Sequence, residues 1–160
     1  MKKTVKKLVT ASTLTLALVS SAKASVIDSA GTWYGSGAVY SLEGKALGDY
    51  RVEMANTLTS PREMKSEITV TRLDGTLIQR LNQTIKDTDH GFTSDSEQGQ
   101  GGGFCLGEGM CMSYVGSQTA RAFASTLVVD PPSALRILRT ELQNGKAVQF
   151  YREKYVRIHQ

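Results

Sequence analysis

Four side chains near the end of the chain, Tyr151, Glu153, Tyr155 and Arg157, fall at alternate positions and share one face of a strand. Two phenols, a carboxylate and a guanidinium could hold a polar ligand or simply pair with one another. Val148, Phe150, Val156 and Ile158 occupy the opposite face. If that apolar set lines the core, the tyrosines lie on the surface beside a Glu–Arg pair. If the domain is hollow, the aromatic and polar set can face the interior instead.

Cys105 and Cys111 flank Leu-Gly-Glu-Gly-Met. If Gly107-Glu108-Gly109 turns the chain, Leu106 faces Met110 and Cys105 faces Cys111 across a hairpin. Directly opposed residues in an antiparallel pair lie about 4.5–5.5 Å apart at Cα, within disulfide reach. The ring is small, so the bond serves mainly to pin one hairpin. There is no C-x-x-C and histidine is scarce, which leaves little for a metal or redox centre to be built from.

Other candidate chemistry fails on spacing. Asp87, Asp89, Asp95 and Glu97 gather carboxylates in one stretch, but an EF-hand loop counted from Asp87 would need Gly at position 6 and Glu at position 12. Gly91 falls one position early and Gln98 takes the place of the closing Glu, so the stretch reads as a solvated acidic loop. Gly99-Gln-Gly-Gly-Gly103 lacks the Gly-Lys-Ser/Thr of a phosphate loop and precedes no helix. A nucleophilic mechanism needs a positioned base, and His90 lies in the polar loop while both cysteines are expected to be oxidised. No cofactor is implied, and binding is expected rather than catalysis.

The elements that must position these residues start after an export segment. Lys2, Lys3, Lys6 and Lys7 precede an apolar run from Leu8 to Val19, too short for a transmembrane helix, and Ala22-Lys23-Ala24 supplies a cleavage site. The sequence thus predicts a cleaved signal peptide over 1–24 and a single domain over 25–160 with no transmembrane segment. No cysteine follows the apolar run to take a lipid anchor, and the short n-region is of bacterial type. The expected location is the periplasm or the medium. Of 19 basic residues, five lie in the signal, leaving 14 against 15 acidic ones and a net charge of −1. The overall basicity is therefore a targeting feature and gives no support for nucleic-acid binding.

After Ser25 the hydrophobic period is two. Tyr50, Val52, Met54, Asn56 and Leu58 alternate with Arg51, Glu53, Ala55 and Thr57, and Ile68 and Val70 alternate with threonines. Strands are predicted at about 32–41, 47–58, 65–73, 76–86, 103–106, 110–116, 120–129, 134–142 and 146–158, with a short one around 90–95. Leu77, Leu81, Ile85, Leu127 and Val129 are expected to face inward. Asp74-Gly75 and Asn144-Gly145 suit two-residue type I′ turns, and Glu43-Gly44 closes the first hairpin. Thr59–Met64 and Asp87–Gly103 are the longer connections, and Pro131-Pro132 marks a bend. The expected fold is all-β, an antiparallel up-and-down meander of 8–10 strands closing into a small barrel, because closure removes both edges. A two-sheet sandwich has the same alternation and is the alternative.

Gly31-Thr32-Trp33-Tyr34-Gly35-Ser36-Gly37 opens the first strand. This Gly-x-Trp start to a β-meander resembles the calycin barrels, namely lipocalins, avidins and fatty-acid-binding proteins, and the longer string resembles nitrobindin-like haem barrels. The resemblance implies that Trp33 packs at one end of a barrel near an arginine of a late strand, Arg152 or Arg157. Avidins bind their ligand between several tryptophans, whereas this chain has one. The haem barrels carry a ligating histidine near the C-terminus, where this chain has only His159 at its end. Fatty-acid-binding proteins hold a carboxylate with an Arg and a Tyr two apart on the last strand. Tyr155 and Arg157 have those types in reversed order, and the resemblance makes them the candidate ligand-binding pair. The expected function is an exported binding protein for a small apolar or anionic ligand. The alternative is a filled barrel that meets another exported protein, for instance as an inhibitor.

Overall fold

The computed structural model describes residues 25–106, 109–116, 121–130 and 133–158, and the side chains of Val129 and Asp130 are not among what it describes. The export segment, Gly107-Glu108, Pro131-Pro132 and His159 lie outside these residues.

A single 3-10 turn, Val26–Ser29, precedes the strands. Ser25 caps it reciprocally, its Oγ accepting from the Ile27 N–H at 3.2 Å while Asp28 Oδ2 accepts from the Ser25 N–H at 2.9 Å. Ten strands follow: β1 (Gly31–Ser41), β2 (Ala46–Ser60), β3 (Glu63–Thr71), β4 (Leu77–Thr88), β5 (Gly91–Ser96), β6 (Gly99–Leu106), β7 (Met110–Gly116), β8 (Arg121–Asp130), β9 (Ala134–Gln143) and β10 (Lys146–Ile158). Each pairs antiparallel with its sequence neighbours, and β1 pairs with β10 from Thr32↔Ile158 to Ser41↔Gln149. The sheet is therefore a closed barrel, with no unpaired edge to cover. Among the described residues, no helix is long and apolar enough to cross a membrane.

The expected alternation is present on β2, where Tyr50, Val52, Met54 and Asn56 are buried; Leu58, beyond them at the strand end, is 49% exposed. Ile85 is buried and Leu81 and Leu127 are half-buried, whereas Leu77 is 52% exposed where β4 leaves the β3–β4 turn. The last strand resolves in favour of the aromatic and polar face. Glu153 and Tyr155 are buried, while Val148, Val156 and Ile158 are exposed.

Three connections differ from expectation. The stretch Asp87–Gly103 is no acidic loop but carries the β5–β6 hairpin, turning at 97–98. Its glycines are strand residues, because Gly101 and Gly103 lie so close to the β7 backbone that a Cβ would collide with it. Thr59–Met64 is likewise almost all strand, with only Pro61-Arg62 in the turn. At Asp74-Gly75 only the glycine has positive φ (89°), and Arg72 donates to Thr76 O at 2.8 Å around a three-residue loop. Asn144-Gly145 has both, at 50° and 74°, as a type I′ turn requires.

Cys105 and Cys111 are register partners on β6 and β7 and form a disulfide. Closing so small a ring is worth roughly 2 kcal/mol. Replacing both with alanine is expected to lower the urea-unfolding free energy by about that amount while leaving the far-ultraviolet circular dichroism of the barrel unchanged.

Candidate functional site

The barrel has a sealed end and an open one. At the sealed end the 3-10 turn is held by three side chains. Trp33 Nε1 and Asn56 Nδ2 both donate to Ser29 O, at 2.8 and 2.9 Å, and Arg157 Nη2 donates to Asp28 O at 2.9 Å. The Arg157 guanidinium lies 4.6 Å from the Trp33 ring centroid, a cation–π contact that settles Arg157 rather than Arg152 as the partner of Trp33.

Above this floor the small residues of β1 decide what β10 and β2 can place inside. Gly35 and Gly37 face the interior bare, and aromatic rings lie flat against them. A Cβ on Gly35 would stand 2.6 Å from the Tyr155 ring, and one on Gly37 would overlap the Tyr50 ring. Both phenols thereby reach Glu153, Tyr50 donating to Oε1 at 2.7 Å and Tyr155 to Oε2 at 2.9 Å, with Arg139 Nη2 3.4 Å from that same Oε2. Nearer the open end Glu141, only 2% exposed, accepts from Arg121 Nε at 2.6 Å, Tyr151 OH at 2.6 Å and Gln149 Nε2 at 2.7 Å. The ring of Phe123 lies beneath both guanidiniums, 5.1 Å from Arg121 and 5.7 Å from Arg139.

The two buried carboxylates are matched by two guanidiniums, Arg139 within the wall and Arg121 reaching out to solvent. Burial pushes the Glu141 carboxyl up, but hydrogen bonds from Arg121, Tyr151 and Gln149 outweigh it and bring it from 4.5 to about 2. Burial first, and then the adjacent carboxylates, raise the hydroxyls of Tyr50, Tyr151 and Tyr155 above the ordinary phenol range.

Below these clusters lies a cavity of about 120 Å3. Aliphatic walls from Ile68, Leu81 and Ile85 meet polar atoms of Asn56, Ser66, Ser94 and Arg139 around it. Asn56 Oδ1, Ser66 Oγ and Ser94 Oγ are buried without a hydrogen-bond partner. At the open end a cleft of about 580 Å3 runs between the β1–β2 and β3–β4 turns, rimmed by Leu47, Leu73 and Ile78. The polar ladder separates the two spaces, for Tyr50 and Gln149 border the cleft while Phe123 and Arg139 border the cavity.

Of the residues singled out in the sequence, the structure joins Cys105 to Cys111 and Trp33 to Arg157. Tyr155 and Arg157 are not brought together on a common partner, and neither borders the cavity. His90 is exposed in the β4–β5 turn, and among the described residues no group of three or more His, Cys, Asp or Glu could hold a metal. Sequence reasoning passed over Glu141, Arg139, Arg121 and the polar floor. Leu135, Ile137, Arg139 and Glu141 share one parity on β9, and charges continuing an apolar face were the available signal.

No protein-family model and no curated protein matches the sequence. Among solved structures, the barrel is similar to a protein of unknown function from the DUF3598 family of Nostoc punctiforme, with a TM-score of 0.70 and 11% identity over 85% of this chain and 50% of that one. It is also similar to an S-type phycobiliprotein lyase from Guillardia theta, with a TM-score of 0.66 and 10% identity over 83% of this chain and 90% of that one. The chain thus spans half the length of the first of these. At such identities the likeness shows the fold alone, a closed antiparallel β-barrel.

Two outcomes test the interior. Gly37→Ala displaces the Tyr50 ring and breaks its bond to Glu153, with an expected loss of about 2–3 kcal/mol by urea unfolding. Because the carboxyl of Glu141 is lowered on folding, its stabilisation is complete above about pH 4.5 and is lost as the pH falls toward 2. Glu141→Gln is expected to lower stability at pH 7 and to flatten this acid limb in a series of unfolding curves.

Proposed function

We propose that this chain, cleaved before Ser25 and exported to the periplasm or the medium, binds a small, partly apolar molecule inside its barrel without transforming it. The observation that carries the reading is the cavity, in which aliphatic walls face buried polar atoms that have no partner in the protein. An engineered cavity of roughly 150 Å3 holds benzene, so a space of about 120 Å3 suits a molecule on the scale of one ring. The apolar rim of the mouth cleft supplies a place for such a molecule to collect before entering. The shared architecture with a phycobiliprotein lyase fits a small-ligand barrel. Binding is favoured over catalysis because Glu141 and Glu153 are both engaged by arginine and tyrosine, and the thiols are joined. In this reading Tyr155 and Arg157 support the wall and the floor.

A second reading, a surface for another exported protein, draws on the outer face of β6, β7 and β9. Phe104, Leu106, Met110, Met112, Tyr114 and Leu138 are all at least 37% exposed there, while β2 and β3 present Arg51, Glu53, Lys65 and Glu67.

Native mass spectrometry of the exported protein, before and after organic extraction, tests the first reading. A retained mass that extraction removes, together with a fall in the thermal midpoint, is the expected result. A ligand-free mass from every preparation, with a companion polypeptide bound instead, would overturn it in favour of the second.

A further inference from the structure

We infer that Asn56 and Ser66 form a subsite for a hydroxyl group at the floor of the cavity, and that the ligand is a ring-sized apolar molecule bearing that hydroxyl. The inference rests on the ligand-binding reading and narrows it. Asn56 on β2 and Ser66 on β3 are direct register partners, 6% and 1% exposed, and both line the cavity. The orientation of the Asn56 amide is dictated by its surroundings. Its nitrogen donates to Ser29 O, a backbone carbonyl that can only accept, so Oδ1 is the atom left free. Ser29 Oγ cannot satisfy it, because that hydroxyl already donates to Val26 O at 2.7 Å. Ser66 Oγ has no partner either.

Two such atoms call for a partner that the protein itself does not supply. Their chemistry selects what fills the gap. Asn56 Oδ1 requires a donor, and the Ser66 hydroxyl has a proton to give. A ligand hydroxyl answers both at once, donating to Asn56 and accepting from Ser66. A carboxylate or a ketone leaves Asn56 Oδ1 facing a second acceptor, and an ammonium leaves the Ser66 proton without one. Met54, Ile68, Leu81 and Ile85, which also line the cavity, offer apolar contact to the rest of the molecule.

Phenol and benzene are the probes, being alike in size and differing by one hydroxyl. Each is titrated into the mature protein, wild type and Ser66→Ala, with dissociation constants read from NMR chemical-shift changes. The wild type is expected to prefer phenol, and Ser66→Ala to reduce the phenol-to-benzene preference by about tenfold. The thermal midpoint of the ligand-free variant is expected to hold or rise, since an unpaired buried hydroxyl has been removed. An unchanged preference, or a midpoint that drops by several degrees because Ser66 holds a structural water, overturns the subsite while leaving the ligand-binding reading intact. Binding of neither probe overturns both.

Discussion

The seam between β1 and β10 is what makes an interior exist. Ten register pairs, Thr32↔Ile158 to Ser41↔Gln149, join the first strand to the last and turn a meander with two open edges into a closed wall. The two strands of the seam are complementary in bulk. β1 supplies Gly35 and Gly37 to the inside, and β10 supplies Tyr151, Glu153 and Tyr155. With larger residues on β1, the rings of Tyr50 and Tyr155 would have nowhere to lie, and Glu153 would be a buried carboxylate without its phenols. Closure and interior chemistry are therefore one constraint seen from two sides.

That interior is unusual in what it encloses. Buried ion pairs contribute little net stability, because taking both charges out of water costs as much as their attraction returns. Their value lies in the environment they create. Glu141 and Glu153 are matched by Arg121 and Arg139, and every phenol that reaches them does so as a donor. The charges are thus matched in pairs, and the cavity beneath has aliphatic walls together with polar groups, Arg139 among them. Hydrophobic stabilisation comes from two buried clusters, one of Trp33, Val52, Met54, Leu135 and Ile137 with the rings of Tyr50 and Tyr155, the other of Val26, Met64, Ile85 and Phe92 at the floor.

Much of this was legible in the residues. Period-two alternation located the strands, the Cys105–Cys111 spacing gave a hairpin pairing, and the Gly-x-Trp string pointed to a calycin-like barrel. The last strand was legible only as two alternatives, since both of its faces carry large side chains and alternation alone is blind to which one turns inward. The β5–β6 hairpin was obscured because Gly and Asp are depleted in strands on average, whereas here backbone crowding against β7 demands glycine. Asn56 was visible as an inward position, yet its importance was not. An amide whose nitrogen is spent on a distant backbone carbonyl has no signature in sequence, because the partner, Ser29, is brought to it by folding.

The placement of the polar ladder bears on how anything could reach the cavity. A molecule passing from the mouth cleft inward must cross the level at which Tyr50 meets Glu153 and Tyr151 meets Glu141. The Tyr151–Glu141 contact keeps its form over the ordinary pH range. Burial and the adjacent carboxylates hold the phenols in their neutral donor form, and Glu141 keeps its charge down to about pH 2. Passage on that side therefore depends on side-chain rotation and not on titration. The ring of Tyr50, lying on bare Gly37 and fastened at its hydroxyl, can swing only by giving up one hydrogen bond, whereas Tyr151 is tied to Glu141 and Gln149 together.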